Sequence, residues 1–174
     1  MQPARHVLLD PAQPLEALTA TARGMIENNF IRAAQRAQTE LMIAVAEAGQ
    51  FPAVRSRVGL FPDVPKAAND AGCRYVAGVL FGHDLGALQG PCLRPAIPLT
   101  GSLAWMPIVP GRYAVFAHIG PYDTLHRIWQ AVYRDWLPAS GEVLRLAPPM
   151  ELSINSPDDV PPEDLRTEIW IPLA

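Results

Sequence analysis

Two short stretches near the C-terminus carry the residues best suited to chemistry. Over 150–155, Glu151, Ser153 and Asn155 alternate with Leu152 and Ile154, so an extended chain sends the two sets to opposite faces. Over 167–173, Thr167, Ile169, Ile171 and Leu173 share one face, and Glu168, Trp170 and Pro172 the other. If Leu152 and Ile154 lie under helices, Glu151 faces a cleft. If the two stretches pair as a hairpin, Trp170 or Glu168 sits across from it. A carboxylate against an indole face is a cation receptor. In a half-dry cleft the carboxylate is costly to charge and its pKa rises. A flat, weakly hydrated cation relieves that cost and stacks on Trp170 for about 0.5–2 kcal/mol. Small inorganic cations hold their water too tightly to gain as much. The plainer alternative makes Glu151 a solvated strand residue.

Other reactive residues assemble less well. His118, on an apolar stretch with Ala114 and Phe116, reads as a hydrogen-bonded structural histidine. Tyr75, Tyr113, Tyr122 and Trp105 are cleft walls or plain core, while Trp129 and Trp136 fall on a helical stripe and read as core. Cys73, His83, Cys92 and His118 match no zinc-ligand spacing, so no metal is expected. His83, Asp84 and Ser102 come without a G-x-S-x-G elbow. Neither G-x-x-x-x-G-K nor G-x-G-x-x-G occurs, so no nucleotide cofactor is expected.

These residues sit in a chain of 174, of which 49% are apolar and 18% charged. That suffices for one packed domain or two small halves sharing a core. Fourteen Lys and Arg against 17 Asp and Glu leave a net charge of −3, which argues against phosphate-held nucleic-acid binding and against a basic membrane-surface helix. The longest apolar runs, Leu41 to Ala46 and Val76 to Phe81, fall far short of the roughly 20 residues a membrane span needs. Met1 to Asp10 lacks the apolar core of a secretory signal. Cys73 and Cys92 read as two ordinary thiols of a cytoplasmic protein, with one disulfide as the alternative. Arg32 and Arg36 lie on a helix without a helix-turn-helix companion, so contact with DNA would need another domain.

The elements follow from periodicity and punctuation. A weak strand is predicted over 15–25. Ile26, Phe30, Ala33, Ala37, Leu41, Val45 and Ala48 then recur at three- and four-residue steps, predicting a helix over 27–48 closed by Gly49. Strands follow over 56–61 and 73–81. The Gly- and Pro-rich stretch 83–100 reads as a linker. The second half repeats the order: strands at 103–108 and 112–119, then a helix striped by Leu125, Ile128, Trp129, Val132 and Trp136 and ended by Pro138, then strands at 150–155 and 167–173. The fold class is therefore α+β, a duplicated β-α-β-β with pseudo-repeats over about 7–82 and 101–174 in one domain of residues 1–174. The spacing from Gly59 to Ala77 equals that from Leu152 to Trp170, which supports the duplication. Two such halves combine antiparallel sheets, put two long helices on one face and leave a ligand cleft between them.

The second half also resembles a known family. The stretches Gly111 to Phe116, His118 to Tyr122 and Trp136 to Gly141, together with Glu151 and Pro161 to Pro172, are similar to the GyrI-like small-molecule-binding family, which includes effector-binding domains of AraC- and MerR-type regulators. The match is specific over about 110–173; earlier, Arg74-Tyr75 before a buried strand fits the pattern. Ser153 stands where the family often has tyrosine, and Thr39, Glu40 and Leu41 where its first helix usually has an aromatic. The resemblance implies the duplicated fold, a ligand cleft, and a buried glutamate, here Glu151, that attracts lipophilic cations. The expected function is sequestration of lipophilic, cationic aromatic molecules by a free-standing module in the cytoplasm, with Glu151, Trp170, Glu168, Tyr122, Phe116 and Tyr75 as binding residues. No direct contact with nucleic acid or membrane is expected, and a homodimer or protein partner stays open. The alternative the resemblance implies is a hydrolase of reactive cyclopropyl-type compounds, with Glu151 as general base. A protein-interaction module is the third reading.

Overall fold

The computed structural model describes residues Met1–Ala174. In chain order its elements are β1 (Arg5–Leu9), β2 (Leu15–Arg23), α1 (Ile31–Glu47), β3 (Val54–Leu60), β4 (Arg74–Phe81), β5 (Ala104–Ile108), β6 (Gly111–Ile119), α2 (Leu125–Ala131), α3 (Leu137–Ser140), β7 (Met150–Ser153) and β8 (Arg166–Leu173). No helix is long and apolar enough to cross a membrane. The chain divides into two compact units, an N-unit of Pro14–Ile108 and a C-unit of Met1–Gln13 with Val109–Ala174.

Both units are α+β with one topology. The N-unit sheet is antiparallel in the order β3-β4-β2-β5, and the C-unit sheet is antiparallel in the order β7-β8-β6-β1. The strand–helix–strand–strand order is thus written twice, but the repeat boundaries differ from those expected. Residues 104–108, assigned to the second repeat, pair with β2 in the N-unit. Arg5–Leu9, for which no strand is predicted, pairs with β6 in the C-unit. A strand added at an edge needs only backbone partners on one side, so its sequence carries little trace of it.

In the N-unit, α1 lays Ala33, Ala37, Leu41 and Val45 against Leu18 and Ala20 of β2 and Tyr75, Ala77, Val79 and Phe81 of β4. The predicted stripe is correct, but its start is not. Glu27 and Asn28 take φ of 49° and 61° in a tight turn bridging Ile26 and Asn29, and the Asn29 side chain accepts from the Ile31 N–H. Local side-chain competition of this kind delays the helix. Nor is 83–100 a linker: Leu85 and Ile97 are buried, Leu93 bridges to Phe81, and the Ser56 hydroxyl donates to the His83 carbonyl while accepting from the Leu85 N–H.

In the C-unit, Leu125, Val132 and Trp136 pack on Ala114, Phe116, Ile169, Ile171 and Leu173. Pro138 does not end this helix. A π-helical turn over Val132–Trp136 leads into α3, where Pro138 lies in the first turn. The π turn, closed by a bond from the Leu137 N–H to the Val132 carbonyl, carries the chain past the proline; single π turns of this kind occur inside α-helices. The helix stops instead at Gly141, whose φ of 74° suits glycine.

Candidate functional site: an acid and an indole on the helix face of the C-unit

The register of β7 on β8 decides where Glu151 goes. Glu151 pairs with Ile169 and Met150 with Trp170, while Ile169 pairs on its other side with Phe116. Directly opposed residues share a face. Glu151 therefore stands on the face that carries Phe116, Ile169 and Ile171 toward the helices. This corrects the expectation that Leu152 would lie under them: Leu152 pairs with Glu168 and joins Met150 and Trp170 on the opposite face.

The indole beside Glu151 is consequently Trp129, one turn into α2. Its Nε1–H donates to Glu151 Oε1 over 2.6 Å, and no protein donor reaches Oε2. Glu151 is half-buried. Burial pushes its carboxyl above the ordinary value of 4.5, and the Trp129 bond, which favours the charged form, only partly offsets this. One turn further on, Tyr133 lies parallel to Trp129, with ring centres 6.1 Å apart and planes 7° apart. Trp129 packs against the C-unit core, as its place on the helical stripe predicts, and in addition meets the acid; Tyr133 carries no such expectation. The signal available was the i, i+4 aromatic pair.

Trp170 and Glu168 belong to a different arrangement. Trp170 is 0% exposed and packs edge-on against Tyr113 with ring centres 5.7 Å apart. Its Nε1–H donates to Glu168 Oε2 over 3.0 Å. Arg5 holds the same carboxylate at 2.6 Å and lies 5.8 Å over the indole. The Trp170 face thus already carries a cation, and the Glu168 charge is paired. Neither sits beside Glu151, because a one-residue change of register reverses every side chain.

The other expected contributors separate by unit. Phe116 is buried on the Glu151 face, edge-on to Trp136 at 4.9 Å. Tyr122 opens the short 3-10 turn before α2 and is 41% exposed. His118 is hydrogen-bonded to the Thr124 hydroxyl at 2.9 Å. That hydroxyl donates to the Pro121 carbonyl, so Nε2 of His118 is the donor. Tyr75 belongs to the N-unit, where it packs against Phe30 and Phe61.

The two units differ at one telling position. The N-unit row Ala20–Ala77–Gly59 corresponds to the C-unit row Phe116–Ile169–Glu151. The repeat spacing read from sequence was thus displaced by one residue: Gly59 matches Glu151, not Leu152. Where one unit carries the acid, the other has glycine covered by the Tyr75 ring. A Cβ at Gly59 would meet the Tyr75 hydroxyl oxygen at 2.5 Å, and Gln38 donates to that same oxygen at 3.5 Å. Gly59→Ala is therefore expected to displace Tyr75 and cost about 1–3 kcal/mol, read from urea midpoints. An unchanged midpoint would mean that Tyr75 moves aside without cost.

Comparisons with known proteins agree with this architecture. Over 65 residues, 37% of this chain, it is 43% identical to the probable transcriptional regulator YgiV of Escherichia coli K12; the match spans 40% of that protein's length. Among solved structures, an uncharacterized conserved protein from Listeria innocua superposes with a TM-score of 0.63 at 12% identity, covering 98% of this chain and 91% of that one. A hydrolase from the same organism, encoded by lin2189, gives a TM-score of 0.55 at 12% identity with the same coverages. The family model of the GyrI-like small molecule binding domain matches residues 13–174. With that match covering every element but β1, the Glu151 strand included, the chain belongs to the GyrI-like small-molecule-binding domain family.

Proposed function

We propose that this domain sequesters lipophilic, cationic aromatic molecules, with Glu151 as the anionic anchor and Trp129, aided by Tyr133, as the aromatic surface beside it. The observation that carries the proposal is a half-buried carboxylate with one oxygen on the Trp129 N–H and the other without a protein donor. Such a group is short of compensation when charged. A delocalised cation supplies that compensation and surrenders little hydration on entry, whereas an alkali ion gives up far more. An aromatic cation also gains about 0.5–2 kcal/mol against an indole face. Two unpaired cysteines favour a reducing, cytoplasmic setting.

The raised pKa of Glu151 gives a test with a definite sign. Burial favours the protonated form in the folded protein relative to the unfolded chain, so this group's contribution to stability is full below about 4.5 and is lost as pH rises through the raised value. Cation binding runs the other way. Affinity for a lipophilic cation such as rhodamine 6G rises with pH across that window, and below the raised pKa each cation bound expels a proton. Calorimetry in buffers of different ionisation enthalpy reads the proton directly. A pH-independent affinity without proton release would refute the anchor role.

A second reading uses the same acid as a general base that draws a proton from water attacking a reactive cyclopropyl-type compound. A carboxyl pKa moved toward neutrality favours such chemistry. Mass spectrometry of an incubated electrophile separates the two: a hydrated product means turnover, and unchanged ligand means binding alone.

A further inference from the structure

Next to the Glu151 row lies a second row on the same face, His118–Thr167–Ser153. Thr167 is 2% exposed, and its hydroxyl has no hydrogen-bond partner. No hydrogen bond joins it to its neighbour His118, whose Nε2 is engaged by Thr124. Buried hydroxyls are normally satisfied, and one left orphaned needs an explanation. Thr167 also stands diagonally across the strand pair from Glu151, since Glu151 opposes Ile169 two residues on; diagonal neighbours are roughly 7–8 Å apart. Ser153, between them on β7, is half-buried rather than closed over.

We infer that Thr167 is a second, neutral anchor of the ligand site, so that the preferred ligands are aromatic cations bearing a hydrogen-bonding substituent within about 7–8 Å of the charged centre. Glu151 selects for charge, and Thr167 selects among cations. The inference rests on Glu151 as the anchor of the cation and adds a specificity that Glu151 cannot supply. A hydroxyl serves this purpose because it donates or accepts by rotation. A ligand group that reaches it repairs an existing deficit, whereas a ligand lacking the group leaves the hydroxyl as it was.

The test uses N-methylquinolinium and its isomers carrying a carboxamide on the benzo ring, titrated by fluorescence into the full chain and into Thr167→Val, Thr167→Ser and Glu151→Gln. The expected result is that at least one carboxamide isomer binds the wild type about 10-fold more tightly than the parent, the discrimination a satisfied hydrogen bond gives. Thr167→Val removes that advantage, and Thr167→Ser keeps it. Because valine deletes an orphaned hydroxyl at equal volume, Thr167→Val also raises the Tm of the unliganded protein by about 2–4 °C. An advantage that survives in Thr167→Val, no favoured isomer, or a lowered Tm overturns the inference. If Glu151→Gln weakens every cation while Thr167→Val changes none, only this inference fails. If Glu151→Gln changes none of them, the anchor reading fails with it.

Discussion

Glu151→Gln lowers affinity for a flat lipophilic cation by roughly 10- to 100-fold, while a neutral aromatic of equal size changes by less than about 3-fold. The substitution keeps the local geometry: the glutamine carbonyl still accepts from the Trp129 Nε1–H that now reaches Glu151 Oε1. Only charge is lost. At an effective dielectric of about 20, unit charges 4 Å apart attract by about 4 kcal/mol. Ionising a carboxyl whose pKa burial has raised takes back part of that, and a loss of one to two decades, about 1.4–2.8 kcal/mol, lies within the bare attraction. Fluorescence titration of rhodamine 6G against an uncharged analogue reads the ratio; equal losses for both would reduce Glu151 to a packing role. Trp129→Phe is the companion. It removes the one donor that lowers the Glu151 pKa, so the pH midpoint for cation binding moves upward.

Trp170→Ala has the opposite profile, a large cost in stability with no special effect on charge selectivity. The side chain is fully buried, packed on Tyr113, and donates to a carboxylate that also pairs with Arg5. Removing it empties an indole-sized space, and large-to-small core changes of this kind cost about 3–5 kcal/mol. Loss of the Glu168 donor adds to that. A chain with total stability of roughly 5–15 kcal/mol then stands near its folding limit, seen as a reduced urea midpoint. Trp170→Phe, which keeps most of the packing, is expected to bind cations and neutral analogues in the wild-type ratio. A fall in cation affinity alone would return Trp170 to the binding site and displace Trp129 from it.

The alternation of Glu151 with Leu152 was legible because period-2 patterning is local. Which face of that strand meets the helices was not. Both faces of β7 and β8 offer apolar residues, with Met150, Leu152 and Trp170 on one and Ile169, Ile171 and Leu173 on the other, so neither strand alone marks its inner side. The helix stripe of the C-unit was legible, Trp129 included, since it packs against the core; its bond to the acid was not. A residue at the margin of a stripe packs or binds according to what faces it, and here that is a carboxylate from a strand more than twenty positions away. Thr167 gave no warning at all, because an orphaned hydroxyl is defined only by its surroundings.

Composition, helical periodicity, strand alternation and turn residues therefore determined the class of fold and its duplication, since each of these depends on neighbours along the chain, while the family resemblance singled out Glu151. Tertiary structure alone decided the edge strands β1 and β5, the packing of 83–100, the partner of Glu151 and the isolation of Thr167. Each of those depends on strand register and helix placement. A shift of one residue there costs nothing in local propensity, yet it exchanges one face of a sheet for the other.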